Sequence, residues 1–211
     1  MLNIKENKKD FLRNDSNTIY QITSSYNQNN NEYENLSSIL LGDCENKLRE
    51  YYHIIEEDLL IFKVDFFEEG LLIPLIKYEI YNPLTLEPLN LTICKDTKIQ
   101  LSIPVKINED ELFLYTSSHD YYNDICYTYT TKNGTDIIVK DRQNEYIKNN
   151  LSLCESNCEY AYYDSIKKKT ICKCKPSTEN KTINEILDNK DKLLKAFKDL
   201  KNAKFRYNEM L

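Results

Sequence analysis

The chain has 211 residues, a formal net charge of −6, 41% hydrophobic residues and only three glycines. A chain of this length can bury one sizeable hydrophobic core. The scarcity of glycine excludes phosphate loops of the G-x-G-x-x-G and Walker A types. No apolar run approaches the roughly 18 residues that a membrane-spanning helix needs, so the sequence predicts no such helix.

Charge is distributed unevenly along the chain. Residues 165–211 contain 13 Lys and Arg against 6 Asp and Glu, a net of +7, whereas the preceding 164 residues have a net of −13. An acidic body is repelled by phosphate, so we exclude nucleic acid as a partner. The basic tail is interpreted as a solvated lysine-rich helix. The alternative is an approach to an anionic membrane or an acidic partner.

The first predicted unit is a polar N-terminal segment, residues 1–37, rich in Asn, Ser and Lys. It cannot bury enough apolar surface to offset its chain entropy, so it is predicted to be disordered. An antiparallel β domain follows over residues 38–118. Its apolar–polar alternations, spaced by about ten residues and joined by turns, favour a sandwich-like arrangement of strands. The predicted strands are Leu60–Phe66, Leu72–Tyr81, Leu89–Ile93 and Ile99–Val105.

The next unit, residues 119–176, is predicted to be a separate cysteine-rich subdomain. Asn133-Gly134 is a strong turn signal and predicts a hairpin between Tyr127–Tyr129 and Ile137–Val139. The subdomain therefore combines short strands with a cluster of cysteines.

Two helices complete the prediction. Lys140–Leu153 is expected to form a short helix, and residues 177–211 a basic amphipathic helix with Thr182 as its N-cap. The apolar positions of the second helix are Ile183, Ile186, Leu187, Leu193, Leu194, Phe197 and Leu200. The predicted fold class is mainly β: an antiparallel β-sandwich-like domain followed by a small disulfide-rich subdomain and a C-terminal α-helix.

Seven cysteines are the strongest chemical signal in the sequence. They are Cys44, Cys94, Cys126, Cys154, Cys158, Cys172 and Cys174. Cys172 and Cys174 are separated by one residue, and each is expected to bond to a different partner. Cys154 and Cys158 are natural partners because the intervening Tyr160–Thr170 stretch is predicted to form a hairpin.

The remaining cysteines are farther apart along the chain. Cys126 is predicted to pair with Cys44 or with Cys94. Because seven is an odd number, one thiol is free, bonds to another chain, or has its partner outside this sequence.

A structural zinc site is the alternative use of the clustered cysteines. Cys154 and Cys158 would supply one pair of ligands, and Cys172 and Cys174 the other. A one-residue gap is tight for that geometry, and no histidine lies nearby in the sequence. We therefore predict disulfides, with no metal ion and no cofactor.

Six N-x-S/T sequons accompany the cysteines and indicate the same compartment. Five are predicted glycosylation sites, Asn35, Asn90, Asn133, Asn150 and Asn180, and the sixth is Asn14. Disulfides persist in oxidising settings, so we expect an extracellular or cell-surface protein. Since Met1–Tyr20 lacks the apolar core of a signal peptide, we expect this sequence to be a fragment whose leader is missing.

The sequence contains few candidate catalytic residues. The two histidines are His53 and His119, and a nucleophile pair can be drawn only around Ser118 and His119. No G-x-S-x-G motif surrounds any serine. His119 is interpreted as an ordinary loop histidine, so we predict no catalytic residues and no enzyme.

Clustered carboxylates are candidate ligands for calcium, which prefers oxygen ligands. The candidates are Glu56–Asp58, Glu68-Glu69, and Asp120 with Asp124 and Asp136. No D-x-[DN]-x-[DN]-G loop occurs, and runs of charge usually face water. Each cluster is interpreted as a solvated turn.

Several short motifs between Leu40 and Lys175 carry a family resemblance. They are Tyr122-Asn123-Asp124-Ile125-Cys126, Asn133-Gly134-Thr135-Asp136, Asp141-Arg142, and Leu153-Cys154-x3-Cys158 with Cys172-x-Cys174. In these motifs the chain resembles cysteine-rich ectodomain segments, with an EGF-like C-terminal part, of uncharacterised membrane-anchored surface proteins of unicellular eukaryotes. The resemblance implies an ectodomain just outside a membrane, with residues 119–176 as the EGF-like part, and it implies no catalytic residues.

The functional prediction is a non-enzymatic extracellular or cell-surface structural or interaction module stabilised by disulfides. Its partner would be an unknown protein or glycan, and membrane proximity would come through a span beyond this sequence. The alternative is an intracellular protein with a Cys-based structural zinc site. A third hypothesis is a hydrolase whose catalytic partners lie in missing sequence, with Ser118 and His119 as its only candidate residues here.

Overall fold

A computed structural model gives the fold. It describes residues 10–30, 33–130, 134, 136–149 and 151–176. Over these residues the chain is mainly β, with eight strands in two antiparallel sheets of four strands each. The predicted C-terminal helix, residues 177–211, lies outside the described residues. Within the part described, no helix combines the length and the apolar character that crossing a bilayer requires.

The first sheet has the strand order β1-β2-β4-β5. Its strands are β1 (Phe11–Asp15), β2 (Thr18–Ser24), β4 (Leu60–Phe66) and β5 (Leu75–Tyr81). Strand β4 is central: Val64 pairs with Tyr20 on one side and with Lys77 on the other. The alternation that predicts β4 also predicts one solvated face, and that part is wrong. Ile61 and Phe62 lie on opposite faces and are 0% and 1% exposed.

The second sheet has the strand order β3-β6-β8-β7. Its strands are β3 (Ser38–Leu40), β6 (Ile99–Pro104), β8 (Lys169–Cys174) and β7 (Cys158–Asp164). Strands β7 and β8 form the hairpin that the sequence predicts, with a bulge between Tyr160 and Tyr162. This hairpin pairs with β6, so the predicted boundary between residues 118 and 119 divides two parts of one sheet.

Short helices connect the strands. The α-helices are α1 (Ser25–Asn29), α2 (Asp43–Tyr51), α3 (Asp120–Asn123) and α4 (Val139–Lys148), and the 3-10 helices are Leu91–Cys94 and Glu109–Tyr115. Helix α2 begins after Gly42, whose φ of 53° lies in the left-handed region that glycine tolerates. Asp43 and Glu45 in its first turn complement the positive end of the helix dipole.

The main hydrophobic core is shared by both sheets. From the first sheet it contains Ile61, Ile76 and Ile80; from the second it contains Ile39, Leu101 and Ile103, all at most 3% exposed. A second cluster lies on the other face of the first sheet. It consists of Tyr20, Ile22, Leu60, Phe62, Val64 and Tyr81.

The prediction that residues 1–37 are disordered is wrong for the part that the structure describes. Strands β1 and β2 form a hairpin whose partner is β4. The run from Thr18 to Thr23 is β-branched and aromatic apart from Gln21, which favours a strand. Gln21 donates to the Asp10 carboxylate at 2.6 Å. An average over 37 residues of Asn, Ser and Lys hides this short run.

Two predicted strands are also absent from the described chain. Leu91–Cys94 is a 3-10 helix because the Asn90 side chain accepts a hydrogen bond from the backbone N–H of Thr92. The predicted hairpin at Asn133-Gly134 is reduced to one bridge between Thr130 and Asp136, and Val139 begins helix α4.

Candidate functional site

Two of the three disulfides fasten the start of the β7–β8 hairpin to strand β8. Cys154 bonds to Cys172 and Cys158 to Cys174, with Cα separations of 5.9 and 4.0 Å. Cys172 and Cys174 are two residues apart in a strand, so their side chains point to the same face. That face is the core, where the two residues are 0% and 1% exposed. The hairpin is therefore cross-linked at its base.

The third disulfide joins Cys44 in α2 to Cys94 in a 3-10 helix, with a Cα separation of 5.1 Å. Cys126 is free and exposed. The prediction that Cys126 pairs with Cys44 or Cys94 is wrong because those two cysteines, both 0% exposed, bond to each other inside the core. Cys126 instead lies in the long connection between β6 and β7.

The zinc alternative lacks a ligand set. All four of its proposed ligands are engaged in disulfides. In the residues that the structure describes, no group of three or more His, Cys, Asp or Glu side chains is placed to hold a metal ion. Asp124 and Asp136, which were candidates for calcium and are interpreted as parts of solvated turns, accept local hydrogen bonds from the Cys126 backbone N–H and from the Thr130 hydroxyl.

The predicted glycosylation sites fall into two groups. Asn35 and Asn90 are exposed, as is Asn14 of the sixth sequon. The side-chain oxygen of Asn90 accepts the hydrogen bond of 3.0 Å that caps the following 3-10 helix. The side-chain amide nitrogen, to which a glycan is attached, takes no part in this hydrogen bond. The other three sites, Asn133, Asn150 and Asn180, lie outside the described residues.

His119, the candidate catalytic histidine, caps a helix. Its Nδ1 accepts a hydrogen bond of 3.1 Å from the backbone N–H of Tyr121 at the start of α3. Its ring contacts Phe113 and Tyr127, with centroids 5.5 and 5.6 Å away. His53 follows α2 with a φ of 54°. Both histidines thus lie at helix ends.

Arg142 organises an aromatic cluster that the sequence reasoning missed. It is 4% exposed and donates to three backbone carbonyls, those of Ile137, Tyr121 and Tyr127, at 2.7, 3.2 and 3.0 Å. Its guanidinium carbon lies 4.8 Å from the centroid of the Tyr121 ring. Tyr122, adjacent and 3% exposed, donates to the Leu114 carbonyl at 2.6 Å. Burial raises the pKa of both tyrosines above the ordinary value.

A charged cluster is buried between the sheets. Lys63 and Asp65 on β4 are 1% and 0% exposed, and the Lys63 ammonium lies 2.8 Å from the Asp65 carboxylate. Lys63 also donates to the Ser37 hydroxyl at 2.8 Å, and Ser37 donates to Asp65 at 2.6 Å from its hydroxyl and 2.8 Å from its backbone N–H. Burial lowers the pKa of Lys63, and the Asp65 carboxylate opposes that effect. With Ser37 at 0% exposure no substrate can reach its hydroxyl, so the cluster is structural.

Lys169, at the start of β8, lies in the second sheet and bonds to the segment that precedes β3. Its ammonium donates to the carbonyls of Tyr33 and Leu36 at 2.8 and 2.9 Å. Burial, together with a smaller contribution from the neighbouring Lys63 ammonium, lowers the pKa of Lys169 to about 8. One buried lysine from each sheet, Lys63 and Lys169, therefore holds residues 33–37 by hydrogen bonds.

A cleft of about 750 Å³ opens beside residues 33–37. Its apolar walls include Ile19 and Phe67 near the ends of β2 and β4, and Val105 just after β6. Leu71 and Leu72, from the β4–β5 connection, line it as well. Both sheets therefore contribute to the same concave surface.

Charged residues also line the cleft. Lys106, Lys167 and Lys168 line it, as do Glu34 and the adjacent Asn35. Small-molecule sites have volumes of roughly 300–1,000 Å³ and combine apolar walls with a few polar groups, which matches this composition. The cleft is the candidate binding site of the described chain.

Comparison with protein-family models, with curated proteins and with solved structures returned no match.

Proposed function

We propose that this chain is a secreted or cell-surface interaction module that is held by disulfides and catalyses no reaction. The observation that carries the proposal is that six of the seven cysteines form three disulfides. Disulfides form and persist in oxidising compartments and are rare in the cytosol. Exposed sequons at Asn35 and Asn90 support the same location.

The architecture supports an interaction role. We infer that the two sheets form a sandwich, since apolar residues of both contribute to one core. Connections and turns at the ends of a sandwich are free to carry binding residues. The β7–β8 turn supplies Lys167 and Lys168 to the lining of the cleft, which supports such a role. The partner in this proposal is a ligand of the cleft or of the glycan-bearing surface.

The family assignment is part of the proposal. In it the chain belongs to the ectodomain of a membrane-anchored surface protein of a unicellular eukaryote, and the disulfide-linked β7–β8 hairpin is its EGF-like element. The supporting feature is the backward bonding of Cys172 and Cys174 to Cys154 and Cys158. The pairing of this hairpin with β6 makes it part of a larger sheet.

The test is the redox and glycan state of the native protein. Protein isolated with an alkylating agent and without reductant should be alkylated only at Cys126, and reduction should then add six hydrogens, two for each of the three disulfides. Peptides containing Asn35 and Asn90 should carry N-glycans. Seven alkylated cysteines with bare asparagines would contradict the proposal.

A further inference from the structure

The cleft beside residues 33–37 combines apolar walls with three lysines, and that combination specifies a ligand class. We propose that it binds a monomeric anionic amphiphile, a small molecule with an acyl or aryl body and a carboxylate, sulfate or phosphate head. This inference deepens the proposed function, on which it rests for treating the chain as a binding module.

The apolar half of the ligand is indicated by the exposed side chains that line the cleft. Ile166 is 93% exposed and Leu72 is 37% exposed. Behind them, Ile19 and Phe67 are half-buried. A hydrocarbon or aromatic body would remove this apolar surface from water, which is the main driving force for binding at such a site.

The anionic half of the ligand is indicated by charge. Among the described residues that line the cleft, Lys106, Lys167 and Lys168 oppose the single carboxylate of Glu34. The charge of the residues that line the cleft is thus positive, and two of the three lysines belong to the basic C-terminal part of the chain. Lysine ammonium groups at the rim of an apolar site attract and hold an anionic head group.

The turn that presents two of these lysines is held in place. The Asp164 carboxylate accepts from the backbone N–H groups of Ile166 and Lys167 at 3.1 and 3.0 Å. The Lys168 carbonyl accepts from the Val105 backbone N–H at 3.1 Å. A preformed turn loses little conformational entropy on binding, so the charges contribute more of their attraction to affinity.

The size of the cleft favours a small molecule over a folded protein. Its volume of about 750 Å³ matches a single amphiphile, whereas a stable protein interface needs a far larger, flatter surface. We therefore assign the site to the free amphiphile and not to a membrane surface or an acidic peptide. Both of these become outcomes of the test.

The experiment is calorimetric titration of the oxidised full chain, freed of N-glycans because Asn35 lines the cleft, with laurate below its micellar concentration. Laurate should bind at one site, and dodecyltrimethylammonium, which has the same tail and the opposite charge, should bind at least about tenfold more weakly. Equal affinity for the two amphiphiles overturns the proposal. So does binding to phosphatidylglycerol vesicles, or to an oligoglutamate peptide, without binding of free laurate.

Variants locate the site. Lys167→Gln with Lys168→Gly should weaken laurate binding by about tenfold or more, since two charge-assisted contacts are lost. Glycine suits position 168, whose φ is 51°, so this variant should keep its fold. The matched control, Lys95→Gln with Lys148→Gln, removes two exposed lysines that do not line the cleft and should bind as the parent does.

A second variant tests the apolar wall, and disulfide mapping separates the two proposals. Leu72→Asp should abolish laurate binding, because it places a carboxylate in the apolar part of the site. If both variants retain their three disulfides and still bind laurate as the parent does, the cleft is not the site, while the disulfide-held module stands. Loss of the disulfides in the parent chain contradicts the module itself.

Discussion

At the residue scale, the buried Lys63–Asp65 pair shows how this fold tolerates charge in its core. Removing two charges from water is costly, and the cost is offset only when each charge is paired and fully hydrogen-bonded. Asp65 meets that condition by accepting from Lys63 and from both donors of Ser37. The pair thereby joins β4 to the chain that leads into β3.

Breaking one half of this pair should be far more damaging than removing both halves. Asp65→Ala leaves an uncompensated buried ammonium and should lower the free energy of unfolding by about 3–5 kcal/mol. Lys63→Met with Asp65→Asn removes both charges and keeps an acceptor for Ser37, so it should cost much less. Urea unfolding followed by circular dichroism measures both effects.

An exposed ion pair in the same molecule supplies the control. Lys98 and Glu159 approach to 2.7 Å but are 48% and 71% exposed. Glu159→Gln should change the unfolding midpoint only slightly, since water and salt screen such a pair. An Asp65→Ala variant no less stable than Glu159→Gln would contradict the structural role of the buried pair.

Lys169 should make stability depend on pH in the alkaline range. Its pKa is lowered by burial to about 8 in the folded chain, against 10.5 ordinarily. Between these values the unfolded chain holds a proton that the folded chain has lost, so this group makes stability rise with pH; below pH 8 the rise is absent. Tyr121 and Tyr122 oppose this trend only above their ordinary pKa of 10.0, because their folded pKa values are raised.

The measurement is the difference in unfolding free energy between the parent and Lys169→Met across the pH range bounded by Lys169 at about 8 and by the tyrosines at 10.0. The parent should gain stability relative to the variant across this window. A difference that stays flat, or that falls, would show that Lys169 remains protonated when folded.

At the element scale, the connection between β6 and β7 behaves as a separate packing unit around Arg142. Three backbone carbonyls from two different segments meet one guanidinium, a geometry that lysine cannot reproduce. Arg142→Lys should therefore loosen α3 and α4 while the sheets keep their protection. Hydrogen exchange resolves this outcome, with α3 and α4 exchanging faster and β4 unchanged. Uniformly faster exchange across β4 as well would contradict a local unit.

Local sequence patterns predict some of the strands and contacts of this fold and miss others. Strands β4, β5, β6 and the β7–β8 hairpin follow from local alternation and turn signals, which depend on a few adjacent residues. Strand β2 was missed because composition was averaged over a long polar segment. Lys63 and Asp65 alternate with apolar residues, which predicts a solvated face; their burial depends on hydrogen bonds with Ser37, which is distant in the sequence. The cleft joins residues 19, 67, 105 and 168, and no local pattern could reveal it.

The length of the loop that each disulfide closes should determine how much that disulfide contributes to stability. Cys44–Cys94 spans 50 residues and Cys158–Cys174 spans 16. In the chain-entropy account the longer loop contributes about 1 kcal/mol more to stability. Replacing each pair by serines should therefore lower the unfolding midpoint more for Cys44 and Cys94. A larger loss from the Cys158 and Cys174 pair would show that strain or local packing outweighs loop entropy.

At the scale of the whole molecule, the disulfides are comparable in size to the total stability of a domain. Each typically contributes about 2–4 kcal/mol, so three contribute roughly 6–12 kcal/mol, against about 5–15 kcal/mol for a whole domain. Reduction should therefore unfold the chain or leave it marginal. With a strong reductant, circular dichroism should show loss of the β signal, and all seven cysteines should become open to alkylation. Cys126→Ser should behave as the parent does, because Cys126 is free and exposed. A reduced chain that keeps a sharp thermal transition would mean that the shared apolar core of the two sheets is enough for folding without the cross-links. The proposed oxidising compartment would then lose its physical basis.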